Sequence, residues 1–223
     1  MTESSLVDVG PSHDRILASL FEPDVAVACL HQDEALPPDE PALGDASPAR
    51  QREFAAGRQC ARRALVALGL NPVPIARGHA GEPIWPQGVV GSISHAEGLC
   101  VAVAAHAGRV RGLGVDVEPD REESVAFAKR ICRQSELAAM ERMGPSIEAL
   151  AAVIFSAKEA TYKLQFPLTQ DLDAWANLEV LLAPGTFSVG FYGAAASRVS
   201  GRARGRWRRA LGFVWTGVTL LES

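Results

Sequence analysis

The chain has 223 residues, 48% hydrophobic and 22% charged, with a formal net charge of -4. That length allows one large domain or two small ones around a real core, and the acidic balance argues against an obligate nucleic-acid binder. A polar, acidic N-terminus excludes a signal peptide and no apolar run is long enough to span a membrane, so a cytoplasmic protein is expected.

Residues up to about Leu20 read as a leader strand or loosely held arm, and Phe21 to Leu30 has the alternation of a strand. Leu36 to Ala46 is rich in proline and acid, which marks a loop. Ser47-Pro48 then opens a helix, with serine as N-cap and proline in the first turn. Its apolar stripe runs Phe54, Ala61, Leu65, Leu68, and Gly69 ends it. Asn71 to Pro86 is turn-rich.

Two strands follow, Val89–Ser94 and Leu99–Ala105, joined by a short turn, and a third runs from Val110 to Glu118. Ser124 to Met143 predicts a helix or helix pair. Ile147 to Phe166 predicts a long amphipathic helix stopped by Pro167. Strands are then expected at Leu178–Leu182, Thr186–Tyr192 and Leu211–Leu221, with Arg198–Arg209 as an exposed, glycine-loosened loop. Each half offers one long helix and about three strands. The expected fold is α+β: two pseudo-symmetric halves, 1–112 and 113–223, each a small mainly antiparallel sheet packed with a long helix.

Cys29, Cys60, Cys100 and Cys132 are widely spaced and form no CxxC, so they read as reduced thiols. Of the 22 basic residues only Lys129, Lys158 and Lys163 are lysines. In such an arginine-biased chain, two lysines five residues apart merit attention.

Four local patterns carry chemistry. In Gly114-Val115-Asp116-Val117-Glu118 a strand puts Asp116 and Glu118 on one face. Two such carboxylates suit magnesium or manganese, or form a solvated acidic edge. In Phe155-Ser156-Ala157-Lys158-Glu159-Ala160-Thr161-Tyr162-Lys163, Glu159 and Lys163 have i,i+4 spacing, which alone fits a surface salt bridge. Gly91-Ser92-Ile93-Ser94-His95 ends a strand with amides, a hydroxyl and an imidazole that can hold a phosphate or simply make a turn. Arg58 and Arg62 lie one turn apart and can clamp a phosphate or stay solvated.

Taken in order, GRxxAR, GEPxWP, GSxSH, GVDVE and FSAKEATYK resemble the 4′-phosphopantetheinyl transferase superfamily, in its two-domain monomeric form and nearest its actinobacterial and enterobactin-type branch. The resemblance runs from about Arg50 to the C-terminal strand. It implies an enzyme that moves the phosphopantetheine arm of coenzyme A to a serine of an apo acyl or peptidyl carrier protein. It further implies a Mg²⁺ or Mn²⁺ ion held by Asp116, Glu118 and Glu159, with Glu159 also the base. Lys158 and Lys163 would lie against phosphates. Arg50, Arg58 and Arg77 would grip the 3′-phosphoadenosine end, with Ser94 and His95 on the phosphates and Gly81, Glu82 and Pro83 along the adenine.

Phe155 and Glu82 depart from the surfactin-type branch, which has tryptophan and lysine there. Arg77 replaces a lysine of close relatives, and Glu136 matches an acidic position by spacing only. Two other readings remain open: a Mg²⁺-dependent hydrolase of coenzyme A or a nucleotide diphosphate, and an RNA-binding module using Gly201–Arg209, which leaves both carboxylate motifs unexplained.

Overall fold

The structure, a computed structural model, describes residues 12–31, 46–193, 196, 199 and 202–222. The first part of the expected arm, most of the Leu36–Ala46 loop, and Arg198 and Gly201 lie outside the described residues.

The chain folds as α+β. Helix α1 (His13–Ala18) replaces the expected arm; Ser12 caps it by accepting from Arg15 N. Six residues are too few to show helical periodicity, which is why the sequence hid it. Strand β1 (Ala26–His31) starts later than expected because Val25 still closes a turn onto Glu22 O. Helix α2 (Pro48–Ala67) begins behind the Ser47 cap as expected. A small hairpin, β2 (Ala76–Arg77) and β3 (Pro83–Ile84), sits in the turn-rich stretch.

Strands β4 (Val89–Ala96) and β5 (Leu99–His106) join β1 in an antiparallel sheet of order β1-β5-β4. Strand β5 is apolar at nearly every position because both its faces are buried. Cys100, Ala102 and Ala104 pack under α2. Leu99, Val101 and Val103 pack in the opposite direction, against Leu113, Val115, Val117 and Trp215 of a second sheet.

That second sheet is antiparallel, of order β6-β10-β9-β8-β7. Its members are β6 (Val110–Pro119), β7 (Leu178–Ala183), β8 (Thr186–Phe191), β9 (Arg202–Ala210) and β10 (Phe213–Leu221). Between β6 and β7 come α3 (Val125–Ile131), α4 (Gln134–Glu141), α5 (Ile147–Thr169) and a 3-10 helix (Leu172–Asn177). Helix α5 covers the outer face, where Val153, Ile154, Ala157 and Leu164 meet Val214, Val218 and Leu220. The layers therefore run α2, small sheet, large sheet, α5.

Two local expectations change. Helix α5 continues through Pro167 to Thr169 and ends on Gln170, whose φ is 55°. A proline removes the bond to the residue four back but does not forbid helix after it, and Gln170 N closes the end on Phe166 O at 2.8 Å. The arginine-rich segment is strand β9, paired with β10 from Arg202–Leu221 to Ala210–Phe213. Gly205 marks a close approach within it, since a Cβ there would lie 2.3 Å from the Phe187 ring. Arg204 and Arg206 pair with Glu22, and Arg209 with Asp120, so these side chains are held against the fold.

Candidate active site

A cavity of about 810 Å³ opens between α2, the β2–β3 hairpin, β4, β6 and α5. At one end lie the basic groups. The Arg50 guanidinium reaches His95 Nε2 at 2.8 Å and Glu53 Oε2 at 3.1 Å. Burial, with Arg50 and Lys163 adding to it, lowers the His95 pKa against the pull of Glu53 and Asp116. A neutral ring accepting from Arg50 is the form that geometry favours. Arg58, itself buried, stacks over the Phe54 ring at 4.6 Å. Arg62 does not join it and instead donates to Gln59 Oε1.

The hairpin contributes Arg77, Gly81, Glu82 and Pro83 to the wall. Gly81 has a φ of 96°, and a Cβ there would lie 3.2 Å from the Arg77 guanidinium. That positive φ is one that glycine adopts freely and other residues only with strain.

At the other end are Asp116, Glu118 and Glu159. Asp116 projects from β6 toward α5 and is 2% exposed. Its Oδ2 accepts from Ser156 Oγ at 2.8 Å, and Ser156 in turn lies 2.9 Å from Thr216 Oγ1. Its Oδ1 accepts from Ser94 Oγ at 2.8 Å and from Lys163 Nζ at 2.7 Å. Glu118 and Glu159 line the same cavity. Burial pushes the Glu118 carboxyl up to about 7, with Asp116 and Glu159 repelling its charge. Burial likewise raises Glu159, which Asp116 reinforces and Lys163 opposes.

Arg50, Arg58, Arg77, Gly81, Glu82, Pro83, Ser94, His95, Asp116, Glu118, Glu159 and Lys163 thus border one space, although they come from six elements and the β2–β3 turn. Lys158 does not. Its side chain is 2% exposed and meets Glu136 at 2.8 Å and the Ile131 carbonyl at 2.8 Å. One residue along a helix is a turn of roughly 100°, so with Glu159 facing the cavity Lys158 faces the protein interior. The expectation that Lys158 lies against a phosphate is corrected accordingly.

The sequence reading also missed Glu53, Phe54, Phe155, Tyr162 and Phe166, which line the cavity too. A signal existed: Phe155, Glu159, Tyr162, Lys163 and Phe166 recur at helical spacing on one face of α5.

Asp116, Glu118 and Glu159 line one cavity, and the raised proton affinity of two of them is what a hard divalent cation would relieve. The residues present fit Mg²⁺ in chemistry. Among the described residues, no three carboxyl, imidazole or thiol groups are already drawn together tightly enough to hold a metal ion.

Comparison with known proteins agrees with the motif order. Residues 39–105 match the N-terminal domain of 4′-phosphopantetheinyl transferases, and residues 112–205 match the 4′-phosphopantetheinyl transferase superfamily. The chain is 37% identical over 218 residues to the 4′-phosphopantetheinyl transferase PptT of Mycobacterium tuberculosis, covering 91% of this chain and 95% of that one. It is 36% identical over 208 residues to the 4′-phosphopantetheinyl transferase Svp of Streptomyces mobaraensis, covering 89% and 81%. It is also 31% identical over 143 residues to enterobactin synthase component D of Salmonella typhi, covering 63% and 59%.

Proposed function

This chain belongs to the 4′-phosphopantetheinyl transferase superfamily, enzymes that transfer phosphopantetheine from coenzyme A to carrier proteins, and from that premise we infer how its cavity does so. The observation that carries the reading is one cavity with two kinds of charged cluster: Arg50, Arg58 and Arg77 gather at the α2 end beside Glu53 and Glu82, and Asp116, Glu118 and Glu159 gather with Lys163 at the α5 end. Coenzyme A carries a 3′-phosphate and a diphosphate, and the two ends suit one each.

In this reading Arg50, Arg58, Arg77 and His95 hold the 3′-phosphoadenosine end, with Gly81, Glu82 and Pro83 along the base. Asp116, Glu118 and Glu159 hold Mg²⁺. When bound, the ion neutralises diphosphate charge and polarises the phosphorus under attack. Lys163 and Ser94 lie where they can donate to the phosphates. Glu159, with its raised proton affinity, takes the proton of the carrier serine, whose hydroxyl is a poor nucleophile near neutral pH. The serine oxygen bonds to the β-phosphorus as the bond to the leaving 3′,5′-ADP breaks. General-base assistance of this kind contributes about 10²–10⁴-fold.

We further place the division of the chain near Gly112, into halves 1–112 and 113–223 with the active site between them. What supports it is that β4 supplies Ser94 and His95 while β6 and α5 supply the carboxylates. A cytoplasmic monomer serving siderophore, peptide, polyketide or fatty-acid carriers completes the proposal. No helix of the described residues is long and apolar enough to cross a membrane.

The test is to incubate enzyme, coenzyme A, Mg²⁺ and a panel of apo carriers, then weigh the carriers. A gain of one phosphopantetheine is expected. Coenzyme A breakdown with no gain on any carrier would replace transfer with hydrolysis.

A further inference from the structure

Lys163 does not make the i,i+4 pair with Glu159 that its spacing suggests; among the described residues its ion pair is with Asp116, at 2.7 Å. The ammonium has two further acceptors, Ser94 Oγ at 2.9 Å and the Val115 carbonyl at 3.4 Å. Its side chain is 28% exposed and that of Asp116 only 3%.

The two oxygens of Asp116 differ. Oδ2 is turned inward to Ser156, which is fully buried and lies beside Thr216. Oδ1 is shared with Ser94 and Lys163, both of which line the cavity, so it is the oxygen through which Asp116 meets the cavity. A carboxylate oxygen offers about two lone-pair sites, and the Ser94 hydroxyl and the Lys163 ammonium use both. A third ligand on Oδ1 must displace one of them. The serine is neutral and its hydroxyl can rotate. The ammonium bears a positive charge and is repelled by any cation that arrives.

We propose that Lys163 is the resident counter-ion of the metal subsite, competing with the divalent cation for Asp116 Oδ1 and turning out toward the coenzyme's phosphates when the cation takes that oxygen. This rests on the metal reading given above and adds an order to it. Once a dication holds Oδ1, Lys163 retains only the neutral Ser94 and Val115 oxygens. A diphosphate in the same cavity offers it full charge instead. One side chain would then lower the affinity for metal alone and raise that for metal together with coenzyme A. It would also keep the buried Asp116 charge paired between turnovers, where an unpaired one would be costly.

The experiment needs no turnover. Mn²⁺ binding in the absence of coenzyme A is followed by the loss of the free-ion electron paramagnetic resonance signal, in wild type, Lys163→Gln, Lys163→Arg and Asp116→Asn. Lys163→Gln is expected to bind Mn²⁺ at least about tenfold more tightly, the order expected for removing one nearby like charge. Lys163→Arg should stay close to wild type.

Electrostatics alone could produce that first result, so a second readout follows the ammonium itself. The chain has only three lysines, Lys129, Lys158 and Lys163. In wild-type protein labelled with ¹⁵N at the lysine ammonium, the Lys163 signal is identified by its loss in Lys163→Gln. Saturating Mg²⁺ should shift it and speed its exchange with water, leaving Lys129 unchanged. Unchanged or weaker Mn²⁺ binding in Lys163→Gln, or a Lys163 signal that stays put with Mg²⁺ bound, overturns the proposal. If Lys163→Gln does not fold, the wild-type spectrum decides, with Lys163→Arg supplying the assignment. Wild-type Mn²⁺ affinity in Asp116→Asn would instead overturn the metal reading beneath it.

Discussion

Lys158 and Glu136 meet inside the protein at 2.8 Å, with side chains 2% and 0% exposed. Glu136 also accepts from Arg133 N, as the third residue of α4 reaching back to its cap, and from Val180 N of β7 at 2.7 Å. Lys158 donates to the Ile131 carbonyl at the end of α3. One ion pair therefore joins α3, α4, α5 and β7, and it leaves α5 at the residue before Glu159.

Removing one partner strands the other charge, which in buried pairs costs about 3–5 kcal/mol. Glu136→Met and Lys158→Met should each lose about that much in urea unfolding, whereas the double variant Glu136→Met/Lys158→Met should lose less than their sum. Equal, additive losses would show that the two side chains do not depend on one another. If Lys158 instead contacted a phosphate, Lys158→Met would raise KM for coenzyme A with stability unchanged.

Asp116 and Lys163 should separate in turnover. Asp116→Ala removes a proposed metal ligand together with the acceptor of Ser94, Ser156 and Lys163. Losing one preorganised electrostatic group typically costs about 10²–10³-fold in kcat, and Asp116→Ala should fall at or beyond that range. Lys163→Ala should keep a measurable remnant, since the carboxylates persist. Wild-type turnover by Asp116→Ala at saturating Mg²⁺ would refute the assignment.

Gly114 is where α5 rests on β6. A Cβ built there would lie 1.8 Å from the Ala160 carbonyl oxygen and 2.9 Å from Val218 Cγ1. The obstacle is helix backbone, so it cannot rotate aside. Overpacking costs about 1–3 kcal/mol and occasionally more, and here α5 must lift away together with Glu159, the neighbour of Ala160. Gly114→Ala should lower the melting temperature and also reduce kcat, by about 10²-fold if the base shifts by about 1 Å. Wild-type melting and turnover in this variant would mean that α5 does not sit so close.

Much of this was legible in the sequence, and the misses share a cause. Val115, Asp116, Val117 and Glu118 announce a strand by alternation, and Ile147 to Phe166 a helix by its amphipathic stripe. Such signals lie within a few residues of one another. What decides the cavity and the core beneath it does not: Ser94 is 22 residues from Asp116, Lys163 is 47 away from it, and Val180, which donates to Glu136, is 44 away from that residue. Local spacing gave Lys163 to Glu159, because it shows which face of a helix a residue occupies but not what lies opposite, and the family resemblance, which set Lys158 against a phosphate, carried no sign of Glu136 beside it. The same limit hid β9, whose arginines read as a solvated run until Glu22 and Asp120 were seen across from them.

The raised carboxyls make stability depend on pH with a definite sign. Burial, with Asp116 and Glu159 adding repulsion, pushes Glu118 up to about 7, and Glu159 also moves up. A carboxyl whose folded pKa exceeds its unfolded one binds its proton more tightly in the folded state. Its stabilising contribution is complete below the unfolded value and is lost as pH rises through the folded one. With metal chelated away, the melting temperature should therefore carry a component that falls between about pH 5 and 8, over the window set by the Glu118 value. Glu118→Gln should remove much of that fall. Mg²⁺, which needs the ionised carboxylates, should stabilise more strongly as pH rises through the same window, as binding to the native state requires. A chelated protein whose melting profile is identical in wild type and Glu118→Gln from pH 5 to 8 would show that Glu118 titrates as an ordinary surface carboxyl. The electrostatic case for a cation among these three side chains would then lose its support.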